Sequence, residues 1–285
     1  MRPIRVGEIA FTNILPIYHH FDDAGIEVEW IPQVPSQLNR GMAKGEIDMG
    51  PISSFAYAEQ YPKYVLMPDL SVSSHGPVGS IFLFTRDAEL KDLRQAKIAL
   101  PSTSATSVAL LRILIEHFEG GKPEYVTMSP SLEKMMAEAD AALLIGDDAL
   151  LAAWNNPGYR ALDLGQEWYN RTGLSMVFAV WAVRREIAAE RPQELKEIYD
   201  RFMESKERGR IEMGPVISKA QQRLGGSTVT WEDYYRKLIY DFGPDQQKGL
   251  ETYYHYAAKL GLLPTDAKVH LLSMQGMDQE KIRKD

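Results

Sequence analysis

Met176-Val177-Phe178-Ala179-Val180-Trp181-Ala182-Val183 is a run of eight apolar residues rich in β-branched and aromatic side chains. At that length and composition it reads as a buried strand. Before it, short strand-like and helix-like segments alternate; after it, helical periodicity takes over. A second strand, Ser80-Ile81-Phe82-Leu83-Phe84-Thr85, holds the matching place after the first eighty residues. It leaves one α/β unit, and another begins directly beyond it. Two connecting strands mean that the chain crosses from one lobe to the other and returns. The first lobe is therefore discontinuous, 1–84 plus 178–285 with the C-terminal helices, and 86–176 forms the second.

The segments outward from these strands support that organisation. In the first unit, Ile4 to Ile9 reads as a strand, and a short helix starts near Ile14 with Pro16 in its first turn. Ile26 to Ile31 alternates as a strand does. Ser36 caps a helix in which Leu38 and Met42 share a face and Gly45 is the stop. Ile47 to Met49 is a brief strand ending at Gly50-Pro51, Ser53 or Ser54 caps the next helix, and Tyr64 to Met67 is extended. In the second unit, Lys97 to Leu100, Tyr125 to Met128 and Ala141 to Ile145 are strands. Helices open at Ser102–Ser104, at Ser131 and at Asp147 or Asp148. Beyond Val183, Leu195, Ile198, Tyr199 and Phe202 mark an amphipathic helix after Pro192, and Thr230 with Asp233 resembles a capping box. The expected fold class is α/β: two lobes, each a mixed sheet flanked by helices, with a ligand cleft between them. This is the two-crossing, periplasmic-binding-protein-like architecture, in which ligands sit at the carboxyl ends of strands and the amino ends of helices.

Composition narrows the functions. The 285 residues include no cysteine, which excludes disulfides, thiolate nucleophiles and Cys-based metal centres. A net charge of −7 argues against general nucleic-acid binding but leaves room for a small anion held by local donors. Lys281, Arg283 and Lys284 read as a solvated basic end. The start alternates apolar and polar residues (Arg5, Glu8, Thr12-Asn13, His19-His20), and no stretch of about 18 apolar residues occurs, so a cytoplasmic chain with no membrane partner is expected. No His cluster has ligand spacing, and there is no nucleophile elbow, phosphate loop or dinucleotide fingerprint. The expectation is a chain with no metal and no cofactor.

Four stretches could carry chemistry. Thr12-Asn13 follows the first strand, where Asn13 offers donors and an acceptor; a helix cap is the plainer reading. Ser71-Val72-Ser73-Ser74-His75-Gly76-Pro77-Val78-Gly79-Ser80 is dense in small hydroxyls and glycine, which let a backbone approach a ligand, although a polar turn has the same composition. His75 within it is a possible hydrogen-bond donor. Ser102-Thr103-Ser104-Ala105-Thr106-Ser107 opens a helix with more hydroxyls than one cap needs, and a helix amino end favours carboxylates. Gly146-Asp147-Asp148 follows a buried strand and either faces the cleft or caps the next helix.

At these same places the sequence resembles the menaquinone-biosynthesis chorismate dehydratases, the first enzymes of the futalosine route. The matching pieces are Arg5 to Pro16, Pro68-Asp69-Leu70, Gly76 to Ser80, Thr106 to Leu110, Leu143 to Asp147, Asp163 to Trp168, and Thr172-Gly173-Leu174 with Phe178 to Trp181. They run in order over about residues 4–184. The resemblance implies loss of the C4 hydroxyl and C3 hydrogen of chorismate, giving 3-[(1-carboxyvinyl)oxy]benzoate, with the enolpyruvyl carboxylate of the substrate itself taking the proton. By the same resemblance Asn13 orients that carboxylate and Ser80 attends the departing hydroxyl. Thr106 and Ser107, with the helix amides, hold a carboxylate. Thr12, Ser104, His75, Gly146 and Asp147 complete the expected substrate-binding set. A sister enzyme, 1,4-dihydroxy-6-naphthoate synthase, shares the fold but carries a histidine base just after the strand equivalent to Ala141–Ile145, where this chain has Gly146-Asp147. That sister activity and a non-catalytic cytosolic small-anion-binding protein are the alternatives. Oligomeric state is not readable from the sequence.

Overall fold

The protein is described here by a computed structural model covering residues 2–102 and 104–273. Thr103 and the basic end Lys281, Arg283 and Lys284 lie outside the described residues. Two five-stranded sheets organise the chain. The first contains β1 (Ile4–Ile9), β2 (Val28–Gln33), β3 (Met49–Ser53), β4 (Tyr64–Ser74) and β10 (Met176–Arg184), in the order β2-β1-β3-β10-β4. The second contains β5 (Ile81–Thr85), β6 (Lys97–Pro101), β7 (Glu124–Met128), β8 (Ala141–Ile145) and β9 (Arg160–Asp163), in the order β7-β6-β8-β5-β9. In each sheet four strands run in one direction, and the single antiparallel strand, inserted next to the edge, is the first one after a crossing: β5 between β8 and β9 on entering the second sheet, β10 between β3 and β4 on returning to the first.

The position of β5 differs from the sequence expectation. It pairs with β8 and β9, so the first crossing precedes Ile81, and Ile81 to Phe84 are not part of the first sheet. The return crossing lies between Asp163 and Met176. It contains the helix α7 (Leu164–Thr172), stopped by Gly173 in the left-handed region at φ 67°.

Other differences have local causes. β3 continues through Gly50-Pro51 instead of ending there. It pairs with β1 only at Met49, and beyond that point its ladder partner is β10, so one side can accept a residue without an N–H. β4 runs on through Ser71–Ser74, which sequence reading placed in a loop. These serines are buried, and the hydroxyls of Ser71 and Ser73 donate to the carbonyls of Asp241 and Ile239 (2.6 and 3.0 Å). That pairing satisfies polar groups that composition alone assigns to solvent.

The helices flank the sheets. In the first unit these are α1 (Leu15–Tyr18), α2 (Pro35–Lys44) and α3 (Ser54–Glu59), and in the second α4 (Ala105–Arg112), α5 (Leu132–Glu138), α6 (Gly146–Trp154) and α7. After β10 come α8 (Arg185–Glu190), α9 (Pro192–Ile211), α10 (Met213–Leu224), α11 (Thr228–Lys237) and α12 (Pro244–Lys259). α9 buries Leu195, Ile198, Phe202, Ser205 and Gly209, one stripe at helical spacing. Gly209 lies so close to the carbonyl of Pro16 that an added Cβ would sit 1.9 Å from that oxygen. α11 is capped by Ser227, whose Oγ accepts the Thr230 N–H at 3.1 Å; the expected box at Thr230 and Asp233 lies inside the helix instead. Among the described residues, no helix is long and apolar enough to cross a membrane.

Candidate active site

A cleft spanning about 620 Å³ of empty space, part of it open to solvent, lies between the two sheets. The first sheet contributes the turn after β1 (Phe11, Asn13), Ser53 at the end of β3, Val72 of β4 and Phe178 of β10. The first crossing contributes Val78 and Ser80. The second unit contributes Ser104, Thr106 and Ser107 from the start of α4, with Ile145 and Gly146 where β8 meets α6. None of the described lining residues is ionisable. The polar surface consists of hydroxyls, one carboxamide and backbone groups, and the rest is apolar.

Three helices, α3, α4 and α6, begin at this cavity because each follows a strand whose carboxyl end points there. For α4, Ser104 is the cap and its Oγ accepts the Ser107 N–H at 3.3 Å. The other first-turn amides have no intrahelical acceptor, and the residues that carry them begin at the cavity. Thr106 Oγ1 accepts the N–H of Phe55 (3.0 Å), which ties the start of α4 to the start of α3 across the cleft.

Asn13 is half-buried, its carbonyl accepts from the Tyr240 hydroxyl (2.7 Å), and its Oδ1 is buried without a protein partner. A buried acceptor without a protein partner on a cavity wall is a place for a ligand's donor. Ser80 is buried; its Oγ accepts from the Tyr234 hydroxyl at 3.0 Å, and its carbonyl accepts the Gly146 N–H at 2.7 Å. The segment before Ser80 is held by Asp163, whose carboxylate accepts the N–H groups of Val78 (3.0 Å), Gly79 (2.7 Å), Gly165 (2.9 Å) and Gln166 (3.1 Å). Burial pushes this carboxyl above its ordinary value, with the four donors pulling the other way.

The structure thus brings Asn13, Ser80, Ser104, Thr106, Ser107 and Gly146 to one cavity, and places three expected residues elsewhere. Thr12 is fully buried beneath the wall and donates its N–H (3.1 Å) and hydroxyl (2.7 Å) to Asp147. Asp147 therefore bridges the two sheets. It does not cap α6, whose N-cap is Ile145. Burial raises the Asp147 carboxyl above its ordinary range, opposed by the two Thr12 donors. His75 is exposed on the crossing segment, with Nδ1 3.1 Å from Ser175 Oγ and its ring edge-on to Tyr169. Gly146 has φ 59°, and a Cβ there would meet the Phe11 ring at 3.0 Å, so both conformation and space call for glycine. Sequence reading missed Phe11, Ser53, Phe178 and the tyrosines behind the wall as parts of the site. The only signal for the tyrosines is their doubling at Tyr234-Tyr235 and Tyr253-Tyr254, which marks aromatic bulk without saying where each hydroxyl ends.

The family model described as menaquinone biosynthesis matches residues 4–259 of the chain. The chain belongs to that family. Chorismate dehydratase of Thermus thermophilus is similar to it, with 32% identity over 283 residues, covering 92% of this chain and 97% of that protein. The 1,4-dihydroxy-6-naphtoate synthase of Streptomyces coelicolor is 30% identical over 158 residues, covering 53% and 54% of the two chains. Among solved structures, the periplasmic aliphatic sulphonate binding protein SsuA of Escherichia coli superposes with a TM-score of 0.70 at 15% identity, covering 94% of this chain and 91% of that one. This likeness concerns the fold alone: this member of the menaquinone-biosynthesis family has a periplasmic-binding-protein-like fold.

Proposed function

We propose that this protein is a chorismate dehydratase, a cytoplasmic hydro-lyase that converts chorismate to 3-[(1-carboxyvinyl)oxy]benzoate and water. The near-full-length likeness to the Thermus thermophilus chorismate dehydratase carries the reading. The cavity suggests how the step would run. Its described lining carries no ionisable side chain, which fits the resemblance's implication that the substrate supplies its own base.

In this reading residues up to the first crossing, together with 178–285, form one lobe and the stretch between the crossings the other, with chorismate between them. The enolpyruvyl carboxylate, accepting from the Asn13 side-chain N–H, is oriented to take the proton from C3. That hydrogen is acidified through the neighbouring double bond, which is conjugated with the ring carboxylate. The electron pair left at C3 forms the new double bond as the C4–O bond breaks, and the ring becomes aromatic. The hydroxide leaving C4, met by the Ser80 hydroxyl, and the proton from C3 together make up the water lost. Ser104, Thr106 and Ser107, with the first amides of α4, hold a carboxylate through neutral donors. Fixed donors and a base already in place lower the barrier by preorganisation.

The sister reading, a 1,4-dihydroxy-6-naphthoate synthase, would by the resemblance need a histidine base just after β8, and the chain has Gly146-Asp147 there, with Gly146 packed under Phe11. The test is to incubate the protein with chorismate and follow the cyclohexadiene absorbance. Its loss, with an aromatic product 18 mass units lighter by the arithmetic of losing one water (about 18 Da), supports the reading. Tight binding without turnover would make the protein a receptor and refute it.

A further inference from the structure

Behind the cavity wall, five tyrosines of α11, α12 and the segment between them, four of them buried and Tyr240 half-buried, each donate to a residue at the site or directly beside it. Tyr235 donates to the carbonyl of Thr12 (3.0 Å), Tyr240 to that of Asn13 (2.7 Å), Tyr253 to that of Thr106 (3.1 Å) and Tyr254 to that of Ser54 (2.9 Å). Tyr234 differs, because its hydroxyl donates to the side-chain oxygen of Ser80 at 3.0 Å.

The difference has a chemical consequence. A carbonyl has no proton to direct, whereas a serine hydroxyl has one. With its oxygen occupied as an acceptor, Ser80 must donate its own hydrogen elsewhere. Among the described residues no protein group takes that hydrogen, and Ser80 faces the cavity. We propose that Tyr234 is a positioning residue that fixes the Ser80 hydroxyl as a donor aimed at the oxygen leaving the substrate.

This inference rests on the role given to Ser80 above. The Tyr234 ring is wedged in place: it packs against Trp231 and Tyr235, and a Cβ on Gly79 would sit 3.2 Å from it. The residue next to Ser80 is thus shaped to admit the ring. Burial drives the Tyr234 phenol well above the ordinary tyrosine range, so it keeps its proton and acts as a fixed donor. Hydrogen bonds in such a chain also polarise one another, which strengthens the Ser80 donor as negative charge develops on the leaving oxygen.

The experiment is a cycle of four full-length proteins: wild type, Tyr234→Phe, Ser80→Ala and the double variant. Turnover of chorismate, affinity for 3-[(1-carboxyvinyl)oxy]benzoate and the thermal midpoint are measured for each. Tyr234→Phe is expected to lower kcat about tenfold or more with KM within about twofold and the midpoint near wild type. In the Ser80→Ala background the same change is expected to alter product affinity and any residual rate by less than about twofold, since no hydroxyl is left to direct. Wild-type kcat in Tyr234→Phe overturns the inference. So does an equal loss in both backgrounds, or a Tyr234→Phe protein that does not fold. Wild-type turnover by Ser80→Ala would instead sink the reading of Ser80 itself, and the inference with it.

Discussion

Asp48 is fully buried beside two guanidinium groups. Its carboxylate accepts from Arg2, from the Arg5 side chain (2.8 Å) and from the Arg5 N–H (2.9 Å). Burial alone would raise the carboxyl, but these donors outweigh it and hold it well below the usual carboxylate range. A depressed pKa means stability that is present above the ordinary value and lost as pH falls from there toward the folded value. Asp48→Asn should therefore cost about 2 kcal/mol or more near neutral pH, part of the loss being recovered because Arg2 is half-exposed to solvent. The gap from wild type should close as pH drops below 3.8, which urea unfolding across that range would show. At the site itself, Asn13→Ala and Ser80→Ala should each lower kcat with chorismate by about a hundredfold or more while circular dichroism and the thermal midpoint stay near wild type. Retained activity in either variant would remove that residue from the mechanism.

At the scale of elements, Asp163 connects α7 to the segment leading into Ser80. Four N–H groups converge on one carboxylate, two from each side. Asp163→Ala should cost about 2–4 kcal/mol, because it removes a helix cap and leaves buried amides without an acceptor. It should also lower kcat, since Ser80 follows directly after Gly79; thermal unfolding and chorismate turnover measure the two effects separately. This staple was not legible beforehand, although Asp163 stood among the matched residues, because its partners lie 84 and 85 positions away. What was legible depended on local period. The strands Ile4–Ile9, Lys97–Pro101 and Met176–Arg184, and the stripe of α9, follow from side-chain spacing alone. Ser71–Ser74 failed because tertiary carbonyls satisfy those hydroxyls inside a strand. Asp147 failed as a cap because Thr12, 135 positions away, competes for its carboxylate. The cavity-lining hydroxyls of α4 were legible because a helix start carrying surplus hydroxyls has few other uses, whereas Tyr234 was hidden because nothing in sequence couples it to a serine 154 positions earlier.

At the scale of the whole molecule, the two sheets meet through specific bonds as well as apolar packing. Phe55 to Thr106 and Thr12 to Asp147 link the two units across the cleft. Thr12→Val removes the hydroxyl half of one bridge, leaves Asp147 short of a donor, and should weaken product binding about tenfold, as titration calorimetry would show. Because a bound ligand stabilises the form it selects, product at about a hundred times its Kd should add about 2.7 kcal/mol to stability and raise the thermal midpoint. The most direct measurement is a crystal structure with 3-[(1-carboxyvinyl)oxy]benzoate. The account predicts the product between the sheets, with its enolpyruvyl carboxylate at Asn13, the ring carbon that lost oxygen next to Ser80, and the other carboxylate at the start of α4. Product bound outside this cavity, or inside it with Asn13 and Ser80 both out of contact, would contradict the account.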